Sequence, residues 1–164
     1  MLMKILIWGL VLLAVLAVAL ALAGQLGLLK GTPPNNLGVR DGRMKAPSGG
    51  PNSVSSQAAL YPEHPMREYA QIAPLALRGD AGATMAKLRA IVAAMPGATI
   101  VKSDGDYLYA QFTTRLMGFV DDTEFWVDPA AGVIQVRSSS RVGRKDFGVN
   151  RARVEAIRAQ LAAS

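Results

Sequence analysis

The sequence contains no cysteine and a single histidine, His64, among its 164 residues. Disulfides, thiolate zinc sites, iron–sulfur clusters and cysteine nucleophiles are therefore excluded, and so is a metal site built from several histidines. The glycine-rich sequences of nucleotide-binding proteins and the G-x-S-x-G and S-x-x-K motifs of serine nucleophiles are missing as well. We therefore predict no catalytic residue, no metal and no cofactor, and we expect a non-enzymatic role rather than an enzymatic one.

One long apolar run carries no charge: it covers residues 5–29, between Lys4 and Lys30. As a helix it would be about 37 Å long, which is enough to cross a hydrocarbon core of about 30 Å. We predict a transmembrane anchor over residues 1–30 that contacts the membrane through residues 5–29. A cleaved signal peptide is an alternative, since Ala21-Leu22-Ala23 has the spacing of a cleavage site, and a buried soluble helix is another.

Residues 31–57 are rich in proline, glycine, serine and asparagine, and no apolar periodicity runs through them. This composition predicts an extended arm that precedes a folded domain over residues 58–164. In that domain, Asp80 is a suitable N-cap for a helix that ends at Pro96-Gly97, and the spacing of apolar residues predicts a second helix over Val149–Ala162.

Four strand-like runs separate the two predicted helices. Each run is bounded by turn residues, and they cover residues 98–102, 106–114, 118–128 and 133–141. Because consecutive strands with short turns pair antiparallel, we predict an α+β domain with a four-stranded antiparallel meander flanked by two helices.

The alternation of residues in the last two strands predicts their register. Matching the apolar faces pairs Phe125 with Val136, and it places Glu124 opposite Arg137 on the other face. We expect the helices to cover the apolar face. The other face also carries aromatic residues and suits contacts with a partner; these residues are Tyr107, Tyr109 and Trp126.

Acidic and basic residues form two adjacent blocks. Residues 104–128 contain six acids and one base, whereas residues 137–158 contain seven bases and two acids. Because such blocks favour internal pairing, the net charge of +6 and the pI near 10.0 are weak evidence for nucleic acid, which we do not expect as a partner. The candidate carboxylate cluster is Asp121, Asp122, Glu124 and Asp146, and the candidate anion or partner site is Arg137, Arg141, Arg144, Arg151 and Arg153.

These two clusters allow two interpretations. In the first, they form a structural latch in which the arginines pair with the carboxylates of Asp121, Asp122, Glu124 and Asp146. Asp146 either caps the last helix or orients Arg151. In the second, the basic residues near a helix N-terminus bind a phosphate, a carboxylate or a lipid head group. Carboxylate oxygens also suit Mg²⁺ or Ca²⁺, but a strand directs neighbouring side chains to opposite faces, so these ligands do not converge.

Four segments of the chain occur in the same order in a known family. They are PPNNLGVRDGR from Pro33, PNSVSSQ from Pro51, GFVDDTEF from Gly118 and SRVGRKDFGVNRARVE from Ser140. Together they resemble the bacterial and plastid family catalogued as domain of unknown function 1499, from Pro33 to Leu161. The resemblance implies no reaction, because the family has none assigned. It implies that the arm is a recurring segment that packs on the domain.

The resemblance also bears on localisation. Many members of the family carry two cysteines at the places that Ala46 and Ser53 occupy here, and a disulfide in relatives implies an oxidising compartment. The resemblance thus favours a single-pass protein of the bacterial inner membrane, in the cell envelope, with a periplasmic domain. Basic residues after the apolar run favour a cytoplasmic domain instead.

We expect a membrane-anchored accessory or binding domain of non-enzymatic role, whose partners are membrane proteins or anionic lipid head groups. The alternative is a small hydrolase or transferase that acts on an anionic or lipid-derived substrate. It would use Glu124 or Asp122 as base and Arg137, Arg141 and Arg151 to hold the anion. A pocket that joins these groups favours the enzyme, whereas a fully paired ion network favours the binding domain.

Overall fold

The computed structural model of the chain describes residues 1–163. It begins with a long apolar helix and continues with a small antiparallel sheet packed against two helices, so the α+β class is confirmed. A single 3₁₀ turn covers Ala58–Leu60. The elements in chain order are α1 (Leu2–Gln25), β1 (Ser53–Ser55), α2 (Arg67–Ala70), β2 (Leu75–Ala76), α3 (Ala81–Ala94), β3 (Ala98–Asp104), β4 (Tyr107–Thr113), β5 (Val120–Asp128), β6 (Val133–Ser140) and α4 (Val149–Ala163).

Local signals explain the two helices that pack on the sheet. The Asp80 side chain accepts a hydrogen bond from the Ala83 N–H (2.8 Å), which caps α3 as predicted. The helix ends just before Pro96-Gly97, because proline cannot continue the backbone hydrogen bonding. In α4, the residues at helical spacing that face the core are buried; they are Val154, Ile157 and Leu161.

The sheet has six strands rather than the four predicted. Strands β3 to β6 form the expected meander, and the outer edge of β6 pairs with both β1 and β2. These two additional strands contain three and two residues. Strands this short show no alternation that distinguishes them from loop, so the sequence pattern did not predict them.

The predicted register of the β5–β6 hairpin is confirmed. Phe125 pairs with Val136, and Glu124 lies opposite Arg137. The apolar face of the sheet packs against α3 and α4, where Leu88, Phe125 and Ile157 are fully buried. A register slipped by one residue would exchange the two faces, so burial of this core determines the register.

The segment between α1 and β1 covers the other face of the sheet, as the family resemblance implied. The Gly38 N–H donates to Glu124 Oε1 (2.7 Å), and Arg137 Nε donates to the Ala46 carbonyl oxygen (3.4 Å). Glu124 is consequently 0% exposed and Arg137 3% exposed. Neither Glu124 nor Arg137 is therefore exposed on this face. The arm occupies it because arm backbone groups hydrogen-bond to the strand charges.

Candidate functional site

The polar face of the sheet contains a closely bonded ion pair. Arg141 donates from Nε and Nη2 to the two carboxylate oxygens of Asp122 (2.8 and 2.7 Å), and both side chains are buried. The Tyr109 hydroxyl donates to the same carboxylate (2.5 Å). Chiefly through the hydrogen bonds to Asp122, the pKa of Arg141 rises above its usual value. Bidentate pairing of this kind is strong and orients both partners.

A second pair lies on the helix side of the sheet, because β5 directs Asp121 away from Asp122. Arg153 on α4 donates from Nη2 to Asp121 Oδ2 (2.5 Å). Its Nη1 donates to Asn150 Oδ1 (2.8 Å), and its guanidinium carbon lies 4.4 Å from the centre of the Phe112 ring. This pair attaches α4 to the start of β5, an interior strand of the sheet, with Asp121 paired to an arginine as in the latch interpretation.

Asp146 caps α4 rather than orienting Arg151. Its Oδ2 accepts hydrogen bonds from the backbone N–H (3.1 Å) and the side-chain amide (2.9 Å) of Asn150, and its Oδ1 accepts from the Gly148 N–H (3.0 Å). The Tyr69 hydroxyl donates to the same oxygen (2.8 Å). A carboxylate at this position also interacts favourably with the positive end of the helix dipole.

The cap predicts a pH dependence of stability. Burial alone would raise the pKa of Asp146, but hydrogen bonds from Tyr69, Gly148 and Asn150 hold it below its usual value. A carboxyl group with a lowered folded-state pKa stabilises the protein above its unfolded pKa, and this contribution is lost as the pH falls through the folded pKa. We expect Asp146→Asn to be less stable than the unmodified chain at neutral pH. The difference in melting temperature between the two proteins should shrink below about pH 4. A difference that stays constant with pH would show that the ionised Asp146 carboxylate does not cause it.

Glu124 and Arg137 form a pair at the centre of the polar face. They have fewer hydrogen bonds between them than Asp122 and Arg141. Glu124 Oε1 accepts from the Tyr107 hydroxyl and the Gly38 N–H (both 2.7 Å). Within residues 1–163, its buried Oε2 accepts no hydrogen bond, and Arg137 Nη1 lies 3.6 Å away. That distance permits electrostatic attraction but exceeds a normal hydrogen bond.

The pKa values in this region follow from burial. Burial lowers the pKa of the Arg137 guanidinium, and the carboxylates of Glu124 and Asp122 oppose this effect without cancelling it. Burial and the Glu124 carboxylate raise the pKa of Tyr107, so its hydroxyl remains a proton donor. Arg137 is thus a buried cation whose internal partners do not fully compensate its desolvation.

A cleft of about 720 Å³ separates the first part of the arm from the ends of β5 and β6. We call it the arm cleft. Its arm side is formed by residues 32–36 together with Lys45 and Ser48. The residues that line its sheet side are Asp122, Arg137, Ser139, Ser140 and Arg141.

The structure divides the predicted site residues among several places. Arg137 and Arg141 lie together with Asp122 beside the arm cleft, and Glu124 lies next to Arg137. Arg151 donates instead to the carbonyl oxygens of Tyr69 and Gln71 (2.5 and 3.0 Å). Of the other predicted site residues, Asp121, Asp146 and Arg153 lie on the helix side of the sheet. Arg144 is exposed.

The sequence did not predict the roles of two residues of this site. Tyr109 was predicted on this face of the sheet, but its hydrogen bonds with Asp122 and Arg141 were not. Lys45 reaches the cleft through a long irregular segment and donates to Asn36 Oδ1 (2.8 Å). No periodic pattern places such a residue, because its position depends on contacts distant in sequence.

The C-terminal end of α1 contacts the loop between β4 and β5. Gln25 Nε2 donates to the carbonyl oxygens of Arg115 and Leu116 (2.9 and 3.0 Å). Gly24 is buried, and a Cβ atom there would lie 2.5 Å from the Met117 carbonyl oxygen. Only glycine permits this close approach of two backbones.

Within residues 1–163, α1 alone is long and apolar enough to cross a membrane, by length and composition. Its mean hydropathy reaches 3.0, and the residues of this window are not buried inside the protein. A membrane anchor and a signal sequence both fit this description.

Comparison with known families gives a match over most of the folded domain. The model of a family of proteins of unknown function, DUF1499, matches residues 44–161, which is more than two thirds of the chain. The matched range begins before β1 and ends within α4, two residues before the end of that helix. Comparisons with curated proteins and with solved structures give no match.

Proposed function

The chain belongs to the DUF1499 family of proteins of unknown function, and on this premise we propose that it is a membrane-anchored accessory or binding domain without catalytic activity. Helix α1 is the single-pass anchor, and residues 31–57 form the arm, which ends in β1, a strand of the domain's sheet. The observation that carries the proposal is the contact between the end of α1 and the β4–β5 loop. This contact keeps the domain beside the end of the helix, at the level of the lipid head groups.

The same contact supports an uncleaved anchor over a signal peptide. Cleavage after Ala23 would have to occur within the helix, beside the buried Gly24. It would also remove the helix on which the Gln25 hydrogen bonds depend for their position. On the family resemblance, the proposal places the protein in the bacterial inner membrane, with a periplasmic domain.

The arm cleft joins Asp122 to Arg137 and Arg141, as expected for the enzyme alternative. The hydrogen bonding and burial of the carboxylates nevertheless support binding over hydrolysis or group transfer. A general base needs an accessible oxygen and a pKa suited to proton abstraction. Both oxygens of Asp122 accept hydrogen bonds from Arg141, and Tyr109 occupies one of them as well. Glu124 is fully buried beneath the arm and accepts from Tyr107 and Gly38. Neither carboxylate is positioned to take a proton from a substrate.

Alkaline extraction of membranes tests the anchor. We expect the full chain to stay in the membrane pellet, with Met1 as its N-terminal residue, because the apolar run is longer than the usual signal-peptide core of ~7–15 residues. A variant with Leu12→Lys and Leu16→Lys serves as the control, since two charges in the helix centre disfavour insertion. A soluble chain that begins at Gly24 would contradict the proposed anchor.

A further inference from the structure

The two arginines that line the arm cleft differ in how many of their N–H donors form hydrogen bonds. Arg141 donates two short hydrogen bonds to Asp122. The guanidinium of Arg137 donates one long hydrogen bond, to Ala46, and lies 3.6 Å from Glu124. A guanidinium group has five N–H donors, and burial of an incompletely bonded cation is costly. Arg137 therefore has donor capacity that residues 1–163 do not use.

The charge of the cleft is positive. Lys45, Arg137 and Arg141 line it, and Asp122 is the acidic residue among the lining residues. Lys45 donates to Asn36, a neutral partner, so this hydrogen bond does not compensate its charge. Even with Glu124 beside Arg137, these cations outnumber the carboxylates. An anion that enters the cleft is attracted by the excess charge.

The donors also share one side of the sheet. Arg137, Ser139 and Arg141 alternate along one face of β6 and its continuation, and Ser139 is paired with Asp122 across the sheet. Lys45 faces them from the arm. Guanidinium, hydroxyl and ammonium donors therefore surround the same space. A phosphate group offers more acceptor oxygens than a carboxylate and matches this mixed donor set better.

We propose that the arm cleft binds the phosphate group of a ligand, with Arg137 and Lys45 as its cationic contacts and Ser139 as a hydroxyl donor. The inference rests on the proposed binding role but not on the membrane anchor. The cleft volume of about 720 Å³ leaves room for more of the ligand than the phosphate. The arm side of the cleft begins at Thr32, seven residues after the end of α1, so a soluble phosphate ester and a phospholipid head group can both reach it.

Binding is measured by calorimetry on the full chain in maltoside micelles, which contain no phosphate. The probes are inorganic phosphate, glycerol phosphate, micelles doped with phosphatidic acid, and acetate. We expect saturable binding of a phosphate probe and weaker binding of acetate. Lys45→Gln should weaken phosphate binding by about tenfold. Lys102→Gln, which removes an exposed lysine paired with Asp104, should leave the binding unchanged.

A double variant tests the buried donor without leaving a buried charge unpaired. Arg137→Gln combined with Glu124→Gln removes both charges of the central pair, and its folding is checked by its melting curve. We expect this variant to fold and to lose phosphate binding. If the double variant unfolds, the comparison of phosphate binding by Lys45→Gln and Lys102→Gln tests the proposal instead.

The probes separate the two sources of the phosphate. Saturable binding of glycerol phosphate supports a soluble ligand, and binding of phosphatidic acid alone supports a lipid head group. The inference is overturned if no phosphate probe binds saturably, if acetate binds equally well, or if Lys45→Gln binds like the unmodified chain. A chain that pellets with membranes yet binds no phosphate probe would overturn this inference and leave the anchor intact.

Discussion

Replacing Asp122 or Arg141 by alanine is expected to lower the free energy of unfolding by about 3–5 kcal/mol, because each change leaves its buried partner as an uncompensated charge. Both side chains are almost fully buried and are joined by two short hydrogen bonds. For a domain of this size, such a loss lowers the melting temperature by roughly 10–20 °C. Thermal unfolding followed by circular dichroism measures the effect.

The matched control is Asp104→Ala. Asp104 pairs with Lys102 at 3.0 Å, but its side chain is 69% exposed, so the expected loss is ~0–1 kcal/mol. The double variant of Asp122 and Arg141 should be more stable than the sum of the single changes implies, since it leaves neither charge unpaired. Single variants of Asp122 and Arg141 as stable as Asp104→Ala would refute the structural role of the pair.

Replacing Glu124 by alanine should both destabilise the domain and release the arm. The change removes the acceptor of the Gly38 N–H and leaves the buried Arg137 without its nearest counter-charge. We expect a loss of about 3–5 kcal/mol. We also expect faster tryptic cleavage after Arg40 and Arg43, which lie in the part of the arm that follows Gly38.

Glu155→Ala is the control for this change. Glu155 pairs with Arg158 at 2.8 Å, but its side chain is 50% exposed, so little stability should be lost. Its arm should be cleaved at the rate of the unmodified chain. Equal cleavage rates in Glu124→Ala and Glu155→Ala would mean that the hydrogen bond to Gly38 does not hold the arm in place.

The candidate site was only partly predictable. The cross-strand pairing of Glu124 with Arg137 was predicted by matching the apolar faces of β5 and β6. The different environments of Arg137 and Arg141 did not follow, because they depend on the arm carbonyl at Ala46 and on the Tyr109 hydroxyl. Sequence reasoning also grouped five arginines as one site, whereas the fold brings two of them, Arg137 and Arg141, to the arm cleft.

The sequence by itself determined the elements whose causes are local. The uncharged run of α1, the Asp80 cap of α3 and the alternation in β5 and β6 each act over a few neighbouring residues. Tertiary structure alone decided the partners of β6 at its outer edge and the covering of the polar face. Strands of two or three residues and an irregular arm carry no periodic signal. Their positions depend on contacts between backbone groups and buried charges that are distant in sequence, because buried polar groups must find hydrogen-bond partners.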